Sequence, residues 1–335
     1  MSAPSAPDEI ILDVRDLRVG FTVAAGRLPA VDGVDLTLRR GETLALVGES
    51  GSGKSALAMA LIGLNRGPWT EIAGTVDFLG ENLVAARESR LRSIRGARIA
   101  VVFQDALAAL NPLQRAGSQV VEMIRTHHPS SRAEAWNQTV RLFGDVGIAS
   151  PARSARAYPH ELSGGMRQRV MIALGLANSP EILIADEPTT ALDVTIQAQV
   201  LQVLRDMQRD HGTAVILITH DLGVVSDVAM RIAVMYAGRV VETGTRDQVL
   251  GRPRHPYTRG LLAAVPSLTG PVTGRLSAIR GNALTGVDRP AGCAFAPRCD
   301  QVRAACAAPV QLLRRGQEDG HLDACVANDV AGEEP

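Results

Sequence analysis

The sequence predicts an α/β protein: a parallel sheet covered by helices, broken by a mostly helical insertion and followed by a small irregular C-terminal appendage. Three observations carry this. An apolar run, Gly41–Val47, enters a glycine-rich loop and leaves it as a helix. From Ser163 onward, helical and strand patterns alternate. Beyond Gly251 the periodicity fades and Pro, Arg and Gly take over, the composition of a segment that needs its own staple.

Taken in order, Ile10–Val14 and Leu17–Val23 read as strands from their partial alternation, and Val34–Leu38 follows. After the loop, Ser55–Leu64 has helical composition. Thr75–Phe78 and Ala97–Phe103 are further strands. Between Asn111 and about His160 the patterns are helical, at Val120–Thr126 and Arg132–Val146. Then come a helix to Ala177, strand Ile182–Ala185, helix Thr195–Asp210, and strands Ala214–Thr219 and Arg231–Tyr236. No internal repeat is present. The basic residues within Arg87–Arg98 read as a solvated surface.

Bulk properties exclude several classes. The chain has 335 residues, enough for one large domain with appendages or for two. Lys+Arg and Asp+Glu both number 35, so zero net charge argues against a general polyanion binder, nucleic acid included. The N-terminus shows neither a basic n-region nor an apolar h-region, and no secretory signal is expected. No apolar run approaches the ~20 residues that span a bilayer. A soluble chain follows, with any membrane association made through a partner. The four cysteines, Cys293, Cys299, Cys306 and Cys325, all lie in the C-terminal appendage, and such a cluster in a reducing compartment leans toward a metal site.

Gly48-Glu-Ser-Gly-Ser-Gly-Lys54-Ser55 fits G-x-x-x-x-G-K-[ST] in full, between a strand and a helix. Gly48, Ser50, Gly51 and Gly53 permit a turn whose backbone N–H groups cup phosphate oxygens. Lys54 supplies charge to the β- and γ-phosphates, and the Ser55 hydroxyl can ligate Mg²⁺. At the end of an apolar strand stand Asp186, a candidate Mg²⁺ holder through water, and Glu187, a candidate general base. His220 ends the next apolar strand, where it can donate to phosphate or water. Gln104 ends another and can touch Mg²⁺ or the attacking water. Leu162-Ser163-Gly164-Gly165-Met166 then sets two glycines behind a serine at a helix start, a second anion-binding backbone.

Together these residues resemble the ATP-binding cassette (ABC) family over roughly 10–250. The resemblance implies a P-loop NTPase, RecA-like core with an antiparallel β subdomain and a helical subdomain at about 105–165, the cassette spanning 8–253. It makes Gly48–Ser55 the Walker A loop, Gln104 the Q-loop glutamine and Ile182–Glu187 the Walker B strand with its catalytic glutamate. Leu162–Met166 becomes the signature, Ala191-Leu192-Asp193 the D-loop and His220 the switch histidine. Phe21 falls where an aromatic lies under adenine, with Val31 a second contact. In that family two cassettes pair head to tail, so Ser163, Gly164 and Gly165 would contact ATP bound to a partner.

A narrower resemblance is to the ATPases of oligopeptide/dipeptide permeases, which are bacterial importers. Phe103–Pro112 is similar to their extended Q-loop, with Ala106 in place of the usual proline. Arg254-His-Pro-Tyr-Thr-Arg-Gly-Leu-Leu262 is similar to the start of their C-terminal extension, here 254–335. That subfamily carries a cysteine set in the extension. Four thiolates can hold a [4Fe–4S] cluster or a structural zinc, or remain reduced. Paired Cys-x₂-Cys knuckles are absent, which favours iron–sulfur and a stapling role.

The resemblance implies a hydrolytic motor at the cytoplasmic face of the membrane. Its partners would be a second cassette (a heterodimer is favoured), two transmembrane permease subunits and an extracytoplasmic solute-binding protein. Di- or oligopeptide cargo is the first reading. Nickel, opine or oligosaccharide cargo is the alternative, and a non-transport ABC ATPase lies further off.

Overall fold

In a computed structural model of the chain, the described residues are 9–189, 194–264, 279–284, 286–287, 289–308 and 320–326, with side chains at 106–107 and 194–196 left aside. The strand pair β1 (Ile10–Val23) and β2 (Gly26–Arg39) comes first. β3 (Thr43–Val47) then runs into the glycine-rich loop and α1 (Lys54–Leu61). β4 (Thr70–Phe78), the two-residue β5 (Glu81–Asn82), α2 (Glu88–Ile94) and β6 (Ile99–Val102) follow. The helical stretch comprises α3 (Ala106–Ala109), α4 (Ala116–His127), α5 (Arg132–Asp145), α6 (Pro151–Ser154) and α7 (Gly164–Leu176). After it come β7 (Ile182–Asp186), α8 (Val194–His211), β8 (Ala214–Thr219), α9 (Leu222–Val228), β9 (Arg231–Tyr236) and β10 (Arg239–Thr245). The chain closes with α10 (Arg246–Gly251), α11 (Pro256–Ala263) and β11 (Leu322–Asp323).

The chain divides into two compact units. The first takes the described parts of Met1–Leu12, Leu38–Thr43 and Phe78–Ile218. Its strands run β8-β7-β6, all parallel, with Ile99 opposite Ile182 and Ile182 opposite Ala214. Every residue of β7 and β8 is buried. That is why both read as unbroken apolar runs: a parallel sheet covered on two faces has no polar side to alternate with. α7 lies on this sheet at Gly175, where a Cβ would come within 3.0 Å of Val102 and 3.2 Å of Leu183. α4 and α5 build the expected helical insertion. α4 buries Val120, Val121 and Ile124; α5 buries Ala135 and Phe143 and opens on a capping box between Ser131 and Glu134.

α2 was not expected, because only Leu91 and Ile94 mark its buried side. The basic residues at 87–98 divide accordingly. Arg90 pairs with Glu81 at the surface, and Arg95, half-buried, pairs with Glu88. Arg98 departs from the solvated reading: it bonds Glu181 at 2.7 Å and lies 4.6 Å over the Phe78 ring.

The second unit takes the described parts of Asp13–Thr37, Leu44–Asp77 and Thr219–Pro335. Here β2, β1 and β4 are neighbours in one sheet. The two strands expected at 10–23 are one, which continues through Asp16 in a left-handed conformation (φ 44°). The Asp16 N–H donates to Asp35 Oδ1 at 2.7 Å across this break. The other strands run β11-β10-β9-β3, with β3 parallel to β9 and β9–β10–β11 antiparallel. Ala237 (φ 47°) and Gly238 (φ 81°) form the two-residue β9–β10 turn, both with positive φ as a hairpin of primed type requires.

The C-terminal part carries more regular structure than its composition implied. α11 and β11 are both formed, and Tyr257 and Phe295 enter the same apolar cluster as Val47, Val234 and Val249. One buried carboxylate ties these pieces. Glu242, fully buried on β10, accepts from the Arg254 and His255 N–H groups at 2.8 Å each and pairs through Oε1 with His321 Nε2 at 2.7 Å. His255 in turn caps α11, its Nδ1 accepting from the Tyr257 N–H at 3.1 Å.

Burial, with a smaller push from Arg259, lowers the His255 imidazole to about 3. A histidine depressed from its ordinary 6.5 contributes stability that is complete above the unfolded value and lost as pH falls toward the folded one. The unfolding free energy should therefore begin to fall below about pH 6.5, by up to about 1.4 kcal/mol per pH unit from this group, and the thermal midpoint with it. In His255→Asn, which keeps a capping oxygen, that component should vanish; superimposable pH curves for the two proteins would refute it.

Candidate nucleotide site and signature helix

β3 is buried throughout and delivers the chain to Gly48. Two loop glycines are forced by packing: a Cβ on Gly48 would stand 2.2 Å from the Met235 carbonyl oxygen, and one on Gly53 (φ 104°) 2.3 Å from that of Ala30. Gly51 is also left-handed, at φ 79°. The loop is fastened by the Gly238 N–H, which donates to the Ser52 carbonyl at 2.8 Å. Lys54, buried at the head of α1, donates to the carbonyls of Gly48 (2.7 Å) and Glu49 (2.8 Å) and to Ser52 Oγ (3.3 Å). Ser55 is exposed on the first turn. The α1 N-terminus has no side-chain cap and no acidic residue in its first turn, so its N–H groups and dipole are open to an anion.

In the first unit the structure brings Gln104, Asp186 and Glu187 together. Asp186 is buried at the end of β7. Glu187 takes φ 48°, a left-handed conformation that costs a non-glycine residue about 1–2 kcal/mol. It is held there by its N–H, which donates to the Ile218 carbonyl at 2.9 Å, and by Gln104, whose Nε2 donates to Glu187 Oε2 at 2.8 Å. Strain retained in a non-glycine residue at a strand end is characteristic of functional positions.

His220 is exposed just after β8, and Asp221 beside it caps α9 by accepting from the Gly223 and Val224 N–H groups. Phe21 is half-buried on β1. Val31 is 1% exposed, so the expectation that it offers a second face to a base is corrected: it belongs to the core. Asp193, with Ala191 and Leu192, lies outside the described residues.

The signature forms the start of α7. Ser163 is its N-cap, with Oγ accepting from the Met166 N–H at 3.3 Å, and no acidic residue stands in the first turn. Ser163 and Gly164 are exposed and Gly165 is half-buried. A Cβ on Gly164 would meet nothing nearer than Arg167 at 4.0 Å. Packing thus leaves room for a side chain, and a helical glycine costs about 1 kcal/mol relative to alanine. This chain's own packing therefore does not require a glycine at 164.

Sequence reasoning passed over the residues that grip the loop from the C-terminal side. The Glu49 N–H donates to Tyr257 Oη at 2.8 Å, and the Glu49 carboxylate takes both arms of Arg298. Nothing local flags a partner 249 positions away.

None of the four cysteines is joined in a disulfide. Backbone N–H groups of Gln301 and Arg303 donate to the sulfurs of Cys299 (3.3 Å) and Cys306 (3.4 Å). Burial raises the Cys293 thiol above its ordinary value, with smaller contributions from Cys306 and Cys299 nearby. Yet no group of three or more His, Cys, Asp or Glu side chains among the described residues is arranged to hold a metal ion. The expected four-thiolate ligand set is therefore not assembled as these residues stand.

A phosphate loop in one unit, and in the other an acidic strand end and a glycine-led helix, are the parts of a nucleotide-binding cassette, and the chain belongs to the ABC transporter family as one of its ATP-binding members. The model of that family matches 31–190, and that of the oligopeptide/dipeptide transporter C-terminal region matches 241–306. The chain is 47% identical over 313 residues to a putative peptide import ATP-binding protein of Brucella abortus, covering 93% of each. It is 44% identical over 323 residues to the oligopeptide transport ATP-binding protein OppD of Salmonella typhimurium, covering 95% of this chain and 94% of that one. Among solved structures it resembles the dimeric ATP-binding cassette MJ0796 in a post-hydrolysis state bound to ADP and Pi, with TM-score 0.65 and 27% identity over 70% of this chain and 98% of that one.

Proposed function

We propose that this chain is the ATP-hydrolysing subunit of a di- or oligopeptide importer. The observation that carries hydrolysis is the strained Glu187, held by Gln104 at the end of the strand that ends in Asp186. The peptide reading rests on the C-terminal match at 241–306 and on the named activities of relatives that align along nearly the whole chain.

In this reading Gly48, Ser50, Gly51 and Gly53 shape the loop that receives the phosphates, and Lys54 exchanges its loop carbonyls for phosphate oxygens. Ser55, Asp186 and Gln104 would hold Mg²⁺, which neutralises charge building on the transferred phosphoryl group. Glu187 takes the proton of the attacking water and His220 donates to the γ-phosphate. Phe21 offers its ring to the base, and the resemblance assigns Asp193 to the D-loop. Ser163, Gly164 and Gly165 serve the nucleotide of a second cassette. A heterodimer, two permease subunits and a solute-binding protein complete the assembly. Among the described residues no helix is long and apolar enough to cross a membrane, which fits attachment through those permeases.

The test is Lys54→Ala in the full chain. Losing charge-assisted bonds to phosphate should weaken MgADP binding at least about 10-fold. Affinity equal to the parent's would refute the site. For the cysteines, the family resemblance alone supports a [4Fe–4S] cluster ahead of zinc, and holding it would require the four sulfurs to converge. Iron, sulfide and zinc analysis after anaerobic purification decides it: iron with sulfide supports the cluster, and one zinc without iron sinks it.

A further inference from the structure

The phosphate loop is the rigid part of any such site, and here one of its residues is bound from the far end of the chain. Glu49, the first residue after Gly48, has two separate attachments to the C-terminal part. Its backbone N–H donates to Tyr257 Oη at 2.8 Å, so the orientation of a loop peptide is fixed by a side chain of α11. Its carboxylate receives Arg298 as a two-pronged fork, Nη1 to Oε2 at 2.6 Å and Nη2 to Oε1 at 3.0 Å.

This arrangement is built rather than incidental. The Arg298 side chain is 6% exposed against 27% for Glu49, whereas surface pairs of this kind are mobile and worth little. Its remaining Nε–H donates to the Arg280 carbonyl at 2.8 Å. The guanidinium lies 5.8 Å from the Tyr236 ring centroid and 5.9 Å from that of Phe295. Those rings and Tyr257 contact one another at centroid distances of 4.7–5.3 Å. Bidentate pairing between planar groups fixes direction as well as distance. Burial also raises the Tyr257 hydroxyl above its ordinary value and keeps it protonated.

We propose that Arg298 and Tyr257 are positioning residues for the nucleotide site: through the side chain and backbone of Glu49, the C-terminal segment holds the phosphate loop in its binding conformation. The proposal rests on Gly48–Ser55 being the ATP site. It gives the C-terminal segment a task in nucleotide binding that a cargo-related appendage need not have. Because Glu49 lies in the loop itself, the expected effect is on nucleotide affinity more than on turnover at saturation.

The experiment measures MgADP affinity of the full chain, and the KM and kcat of ATP hydrolysis by the assembled transporter, for Arg298→Ala, Arg298→Lys, Glu49→Gln, Tyr257→Phe, and Arg298→Ala with Glu49→Gln, beside Lys54→Ala. Expected is a 5- to 20-fold loss of affinity in Arg298→Ala and in Glu49→Gln, with KM rising in step and kcat within 2-fold. The double variant should be no weaker than either single one, because both remove the same contact. Tyr257→Phe should lose a smaller factor. Arg298→Lys, which keeps the charge and loses the fork, should fall between parent and Arg298→Ala, and it carries the test if Arg298→Ala does not fold.

Unchanged affinity in Arg298→Lys and Glu49→Gln, or losses that multiply in the double variant, would overturn the proposal while Lys54→Ala still fails to bind. Parental affinity in Lys54→Ala would instead overturn the nucleotide-site reading beneath it.

Discussion

Glu187→Gln is expected to bind ATP as the parent does and to hydrolyse it about 10²- to 10⁴-fold more slowly, the range lost with a positioned general base. The substitution keeps shape and an acceptor oxygen, so the hydrogen bond from Gln104 can persist. The positive φ at 187 is held by a backbone bond to Ile218, which the side chain does not enter. The phosphate loop residues Gly48–Ser55 keep their own chemistry in this variant. What disappears is the basic oxygen alone. Closure driven by ATP should then accumulate, since opening follows removal of the γ-phosphate. Single-turnover hydrolysis at the parental rate would remove Glu187 from that role.

Gly164→Asp is expected to abolish hydrolysis by the assembled transporter while leaving this chain's own affinity for nucleotide within about 2-fold. Three facts make it a clean substitution. Gly164 has room for a Cβ, helical backbone geometry suits aspartate there, and α7 has no acidic residue in its first turn. A carboxylate at a helix N-terminus stabilises the helix, by about 0.3–1 kcal/mol. The protein should fold at least as well as the parent. The same carboxylate occupies the N–H groups meant for phosphate and repels it. A loss of activity with full stability therefore reports the outward-facing role.

The sequence displayed the first unit's sheet almost residue for residue, because β7 and β8 are covered on both faces and show as uninterrupted apolar runs. β10 was hidden for the opposite reason. Its core position 242 is a glutamate, acceptable only because two backbone N–H groups and His321 surround it, and those partners come from distant segments. α2 was hidden because two apolar residues are too few to reveal a period.

The site divides in the same way. Gly48, Lys54, Asp186 and Glu187 are local signals at strand ends and were legible as such. The left-handed backbone of Glu187 and its bond to Gln104 are tertiary facts. So are Tyr257 and Arg298, whose meaning exists only once the chain has returned to Glu49. Val31 came from the family resemblance as a second contact to adenine, and its burial in the core is a tertiary fact. The cysteines stand in between: their spacing drew attention, but spacing does not fix whether four sulfurs converge.

The central claim is that this chain binds one ATP on its own loop and lends its signature helix to another cassette's ATP. Sedimentation of Glu187→Gln with its co-purified partner cassette in MgATP, set beside Glu187→Gln carrying Gly164→Asp, tests this most directly. The expected result is an ATP-dependent pair in the first and separate cassettes in the second, with equal nucleotide affinity at this chain's own loop. Equal pairing in both, or loss of this chain's own nucleotide affinity in the second, would contradict it.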